Sequence, residues 1–188
     1  MEGEGIQFLT PILKSIPAPV VVELGAANGR DSESLYWTTK VHSGLGFYLA
    51  VEPDPRNIKS FQARHTKHKL VLDESAISHY DGTAQLWLCD NNLKQELGSS
   101  SIHRPTRHME LFPWCTFDTI ITVPTISLDS LYHKYHLTHV DLLWVDIQGA
   151  EGDMIRGGQW ALSVTDRLFI EAEKEAFYDG QTLRPDLL

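Results

Sequence analysis

Cysteine, cationic residues and long apolar runs are all scarce in this chain, and each scarcity excludes something. The two cysteines, Cys89 and Cys115, stand alone without any C-x-x-C spacing. That excludes a zinc knuckle or a disulfide framework and leaves a reduced, cytoplasmic protein as the expectation. Lys and Arg number 16 against 25 Asp and Glu, for a formal net charge of -9. The positive field that attracts phosphates is therefore missing, and no nucleic acid or membrane partner is expected. The basic clusters, Arg64 to Lys69 and Arg104 with Arg107, read as solvated surface. No apolar run approaches the roughly 20 residues that span a bilayer. Met1 to Gly5 carries two glutamates and two glycines where a secretory signal needs a basic stretch and an apolar core. Of the nine histidines, His133, His136 and His139 recur at spacings of three, but His139 falls past the expected helix end and the set has no fixed acidic partner, so no metal is expected.

What is present is a succession of strand and helix patterns. A length of 188 residues predicts one domain with a single core. Residues 1–19 read as a lead-in helix broken by Pro11 and followed by Pro17-Ala18-Pro19, and residues 20–188 as the domain proper. Val20 to Leu24 predicts the first strand, Phe47 to Val51 the second and Lys69 to Leu72 the third, with helices from about Glu33 to His42, capped by Asp31 or Ser32, and from Arg56 to His65. This β-α-β-α-β order predicts a parallel sheet covered by helices on both faces, a Rossmann-like three-layer α/β/α sandwich. Ala76 to His79 and Ala84 to Leu88 flank Asp81-Gly82 like a hairpin. Residues 91–116 lose all periodicity and are too long for an ordinary connector, which suggests a lid or mobile loop. Order returns with a strand at Phe117 to Val123, a helix at Leu128 to His136, a strand at Val140 to Ile147, a helix at Glu151 to Leu162 and a strand at Leu168 to Ala172.

Two segments share one grammar, a buried strand that ends in an acid and a glycine turn. They are Val20 to Gly29, with Glu23, Gly25, Ala26, Asn28 and Gly29, and Asp141 to Glu151, with Asp146 and Glu151. In open α/β sheets ligands bind beyond the carboxyl ends of such strands, so both segments should face one crevice. Small residues let the backbone turn tightly, with Asn28 or Gly29 supplying a positive φ. Glu52-Pro53 ends the second strand where a carboxylate of this fold accepts two ribose hydroxyls, and Glu74-Ser75-Ala76 ends the third near the place of an adenine. The phosphate-cradling Gly-x-Gly-x-x-Gly is absent, which disfavours a dinucleotide. A carboxylate-rich pocket with Glu23, Glu52, Asp146 and Glu151 suits the sulfonium and ammonium charges of S-adenosylmethionine.

Taken in order, Val22 to Gly29, Val51 to Pro55, Ser127-Leu128-Asp129-Ser130-Leu131, Gly98-Ser99-Ser100-Ser101 and Val140 to Glu151 ahead of Gly157-Gly158 resemble the FkbM-like group of class I S-adenosylmethionine-dependent methyltransferases. The resemblance spans Val20 to Tyr178. It implies that Gly25 to Gly29 hold the methionine part, Glu52 the ribose, Glu74 to Ala76 the adenine, and that Asp146 lies near the methyl group. Two positions depart from the group's Lys-Ile-Asp-x-Glu-Gly pattern, with Trp144 in place of Lys and Gln148 in place of Glu. The group's fold also continues past the fifth strand into two more, so the C-terminal strands are expected to be missing here or a partner to cover that edge, an oligomer through the uncovered sheet edge included.

The expected reaction is O-methylation of a small molecule or sugar hydroxyl, with Asp146 as first candidate base and Glu151 or a histidine of the 91–116 segment next. Asp146 serves equally well as a helix cap or as the partner of the methionine ammonium. Two alternatives stay open, a catalytically silent binding or scaffold domain and an NAD-dependent enzyme. Trp87, Trp114, Trp144 and Trp160 read as core or pocket lining.

Overall fold

The computed structural model describes residues 2–91 and 98–187. Its centre is a five-stranded parallel sheet in the order β3-β2-β1-β7-β8, built from β1 (Val20–Leu24), β2 (Phe47–Val51), β3 (Val71–Asp73), β7 (Leu142–Val145) and β8 (Leu168–Ile170). After β1 the chain builds outward through β2 and β3, then returns to place β7 and β8 on the other side of β1. The strand order reverses between β1 and β7, and a crevice opens there.

Alternation along the strands sorts the core into two layers, because successive side chains point to opposite faces. Val22, Leu24, Leu49, Val51, Leu143 and Val145 pack under α5 (Leu128–Lys134), α6 (Glu151–Arg156) and α7 (Gln159–Ser163). Val21, Tyr48, Ala50, Leu142 and Trp144 pack under α1 (Glu2–Ser15), α2 (Arg30–Thr38) and α3 (Pro55–Arg64). The expected three-layer sandwich is the observed one. Among the described residues no helix is long and apolar enough to cross a membrane.

Several element boundaries differ from the sequence reading, each for a local reason. Helix α2 starts at Arg30 behind Gly29, whose φ of 80° makes the turn, and Asp31 and Ser32 lie inside the helix; Ser32 donates to Glu23 instead of capping. The expected helix from Glu151 to Leu162 is two helices broken at Gly157 and Gly158, where a side chain would strike the Ser78–His79 backbone or Leu128.

The expected hairpin around Asp81-Gly82 does not form. β4 (Ala76–Ile77) and β5 (Gly82–Asn91) are separated by β6 (Cys115–Ile126), which pairs parallel with β4 and antiparallel with the whole of β5 in a second, three-stranded sheet. A long partner, paired along nearly all of β5 with one register shift between Leu88 and Asp90, outcompetes a two-residue strand. The segment between β5 and β6 includes a short helix α4 (His108–Leu111); residues 92–97 of the expected lid lie outside the described residues.

Candidate active site

The strand ends at the switch point are welded together by main chain. Gly25 N and Ala26 N both donate to Val51 O, at 2.9 and 3.0 Å, and Asp146 N donates to Leu24 O at 3.0 Å. Gly25 has φ of 82°, and a Cβ there would lie 1.7 Å from Asp146 O, so only glycine lets the turns after β1 and β7 approach this closely. Gly29, Gly25 and Ala27 take the positive φ angles in this turn, and Asn28 does not.

A narrow cleft follows the ends of β1, β2, β3 and β7. Gly25, Glu52, Pro53, Ser75, Ala76 and Asp146, all expected at the site, line it. Glu52 is 5% exposed and forms the polar centre of the cleft. Its Oε2 accepts from Ala27 N at 2.8 Å, and its Oε1 from Asp54 N at 2.8 Å and Asn57 Nδ2 at 3.4 Å. Burial nevertheless pushes its carboxyl up to about 7, against the lowering effect of these donors. Beyond Glu52 the wall turns apolar, with Ala76, Ile77, Leu86 and Ile102. The roof is the serine loop. Ser100 donates to Asp54 at 2.9 Å, Ser101 pairs with the Trp87 main chain and donates through Oγ to Gln148 O at 2.6 Å.

The remaining expected residues sit elsewhere. Glu23 points into the layer under α2, 1% exposed, accepting from Ser32 and from Tyr48 Oη at 2.8 Å; burial pushes its carboxyl up to about 7. Strand alternation dictates this, because Val22 and Leu24 face the other layer. Ala26 is buried in that same layer. Asn28 binds α2 and α3, its Oδ1 accepting from Arg30 N and its carbonyl from Arg64. The Gly29 carbonyl faces His65 Nε2 at 2.8 Å. Glu74 is exposed. Glu151, 4% exposed, accepts from Ile147 N and Gly149 N, both at 3.3 Å, and fixes the turn after β7; burial raises its carboxyl too.

A second, wider cavity of about 480 Å³ adjoins the cleft and is lined by Asp31, Trp144, Asp146, Gln148, Phe169 and Glu171, with Gly98 and Ser99 at the rim. Trp144 and Phe169 stack with centroids 4.0 Å apart and an interplanar angle of 13°, forming its floor. Asp146, Gln148 and Gly98 belong to both cavities. Gln148 holds a left-handed φ of 50° and ties the junction together. Its Nε2 donates to Asp146 Oδ1 at 2.6 Å and to Glu171 Oε2 at 3.3 Å, while its Oε1 accepts from Tyr178 Oη at 3.1 Å. Burial raises the Asp146 carboxyl, opposed by hydrogen bonds from Glu171 and Gln148.

Sequence reasoning missed Glu171, Phe169 and the bridging role of Gln148, while Trp144, read as core or pocket lining, does line the wider cavity. Leu168 to Glu171 carries the strand-then-acid signal used for Glu52 and Asp146, so Glu171 was within reach of the same rule. The histidines of the 91–116 segment are engaged away from both cavities. His103 binds Asp153 and the Asp179 carbonyl, each at 2.8 Å, and His108 is buried against Phe112, Phe117 and Tyr178. The triplet of histidines also diverges, since His133 stacks on Trp160. His139, Asp141 and Asp166 do lie close enough to share an ion, but at the opposite end of β7, where Asp141 also holds Val20 N and Arg167 sits 3.5 Å from Asp166.

The parallel sheet has a Rossmann-like strand order, with two adjoining cavities at its switch point. The model of the Methyltransferase FkbM domain matches residues 23–188. The chain is also 31% identical over 168 residues to the 2-O-methyltransferase NoeI of Sinorhizobium fredii (strain NBRC 101917 / NGR234), an alignment covering 88% of this chain and 68% of that protein. The chain belongs to the FkbM methyltransferase family.

Proposed function

We propose that this methyltransferase uses S-adenosylmethionine to methylate a hydroxyl of a sugar or small molecule, with the donor in the narrow cleft and the acceptor in the wider cavity. The observation that carries this reading is the junction. Asp146 and Gln148 line both spaces, so a reactive carbon in one and a nucleophile in the other meet at a single point. Holding two reactants in that arrangement is the largest contribution an enzyme makes to a displacement of this kind.

The donor set fits the cofactor. Glu52 and Asp146 are carboxyls whose charged form a bound cation would favour, and no Lys or Arg stands among the described residues lining either cavity, which suits a cationic sulfonium and leaves a pyrophosphate without a partner. Glu52 would accept the ribose hydroxyls, with Asn57, held at 3.4 Å, yielding its place. Ser75 and Ala76 would border the adenine within the apolar slot formed with Ile77, Leu86 and Ile102. Gly25 and Ala27 would border the methionine part, and Asp146 its ammonium or methyl. When bound, S-adenosylmethionine supplies an electrophilic methyl group with a neutral thioether as leaving group. The stacked Trp144–Phe169 floor and the carboxylates around it give the acceptor space an apolar face with a polar rim, the character of a site for a hydroxylated ring. The 2-O-methyltransferase named above supports the hydroxyl as acceptor.

Titration calorimetry with S-adenosylmethionine tests the donor half. The wild-type protein should bind it, and Glu52→Gln should weaken binding by about 100-fold, the loss of roughly 3 kcal/mol for charge-assisted bonds to two hydroxyls. A folded wild-type protein that binds no S-adenosylmethionine would refute the reading.

A further inference from the structure

We propose that Glu171 is the general base that accepts the acceptor's hydroxyl proton, a reading that rests on the donor and acceptor assignment above. The methyl transfer to a hydroxyl forms a C–O bond, breaks the C–S bond with its electron pair remaining on sulfur, and releases one proton. That proton needs a carboxylate or imidazole facing the acceptor.

Among the described residues few groups stand in that position. Glu151 faces neither cavity and is held through Oε1 by Ile147 N and Gly149 N. His103 is bound on both ring nitrogens, to Asp153 and Asp179, and His108 lies among aromatic rings. Asp146 stands at the junction, where it also faces the donor cleft. Glu171 lines the acceptor cavity and not the donor cleft, directly after β8, with its main chain fixed by Glu171 N donating to Val145 O at 2.9 Å.

Glu171 is also tied to the junction through a side-chain bridge. Gln148 Nε2 donates to both Asp146 and Glu171, so one amide joins the two carboxyls. The other groups around Glu171 are acidic as well. Asp31 of α2 faces the cavity, and burial, with the charge of nearby Glu171 adding to it, raises the carboxyls of Glu151 of α6 and Glu173 of the following segment.

The test combines two variants with a readout other than turnover. Glu171→Gln and Glu171→Asp would be assayed with S-adenosylmethionine and a panel of neutral methyl glycosides across pH 5–9. Binding of S-adenosylmethionine would be followed by calorimetry, and the carboxyl titrations by 13C NMR of the protein labelled at Asp and Glu. Glu171→Gln should lower kcat by about 10²- to 10⁴-fold, the usual contribution of a positioned base, with the donor Kd changed less than about twofold. Glu171→Asp should recover part of the rate. In the wild-type protein Glu171 and Asp146 should titrate as a coupled pair, which Glu171→Gln reduces to one transition. Retention of kcat in Glu171→Gln, equal loss of donor affinity, or independent titration of Glu171 would each overturn the proposal while leaving the donor reading intact. Failure of the wild-type protein to bind S-adenosylmethionine would overturn the donor reading and this proposal together.

Discussion

Replacing Glu23 by Gln should stabilise the protein at neutral pH and leave donor binding untouched. Glu23 is 1% exposed, and its carboxyl stands at about 7 against an ordinary value of 4.5 because burial penalises the charge more than Ser32 and Tyr48 repay it. The folded state therefore holds the proton more tightly than the unfolded state. Below pH 4.5 both states are protonated and the group is neutral in its effect. Between pH 4.5 and about 7 the unfolded chain releases the proton first, so stability falls as pH rises through this window and stays low above it. A shift from 4.5 to about 7 corresponds to roughly 3 kcal/mol at 1.36 kcal/mol per unit. Gln keeps the shape and an acceptor for Ser32 and Tyr48 without the charge. Urea unfolding of Glu23→Gln against wild type should show no difference near pH 4.5 and a gain of up to about 3 kcal/mol at pH 8, or roughly 6–12 °C in Tm for a chain of this size. Calorimetry should give the same Kd for S-adenosylmethionine within about twofold. A variant less stable than wild type at every pH, or one that loses the donor, would refute the assignment of Glu23 to the core.

Two more outcomes follow from the same geometry. Asp153→Asn should destabilise the fold by about 1–3 kcal/mol near pH 6 in thermal unfolding, because Asp153 holds His103 at 2.8 Å and Arg156 besides. The wild-type contribution should fade as acid protonates Asp153, whose carboxyl those cations hold at about 2, and as rising pH deprotonates His103, which Asp153 raises above its ordinary value. Gln148→Glu should lower stability above pH 7 by about 1–3 kcal/mol and spare it near pH 5, as measured by urea midpoints, since it sets a third carboxylate between Asp146 and Glu171 and removes the amide that both accept from.

The fold was legible because its strands are the buried, parallel kind. β1 and β2 fall at the residues the apolar runs predict, since continuous Val, Leu and Ala stretches have no helical alternative at that length. What escaped was pairing at a distance. The partner of β5 lies beyond an aperiodic segment of more than 20 residues, so the local turn at Asp81-Gly82 suggested a hairpin that the long register with β6 replaces. The site divided in the same way. Position at a strand end is a property of sequence order, and it correctly brought Glu52 and Asp146 to one cleft. The direction a side chain takes depends on strand parity and on the turn that follows. Parity sends Glu23 under α2, and the left-handed turn at Gln148 and Gly149 draws Glu151 back onto its amides.

Gln148 then shows why a departure from a family pattern is not by itself a sign of lost function. In the resembled pattern this position is a glutamate, and its replacement reads in sequence as a weakened site. Here the amide has two opposite ends, and each has a use. The Nε2 end serves two carboxyls that a glutamate would repel, and the Oε1 end receives Tyr178 Oη, which also reaches Ser99 O at 3.0 Å in the roof. A residue that only accepts could meet Tyr178 but not Asp146 and Glu171. The substitution and the acidic residue after β8 therefore belong together: with Glu171 in place, glutamine is the side chain that joins Asp146 at the junction to Glu171 in the wider cavity.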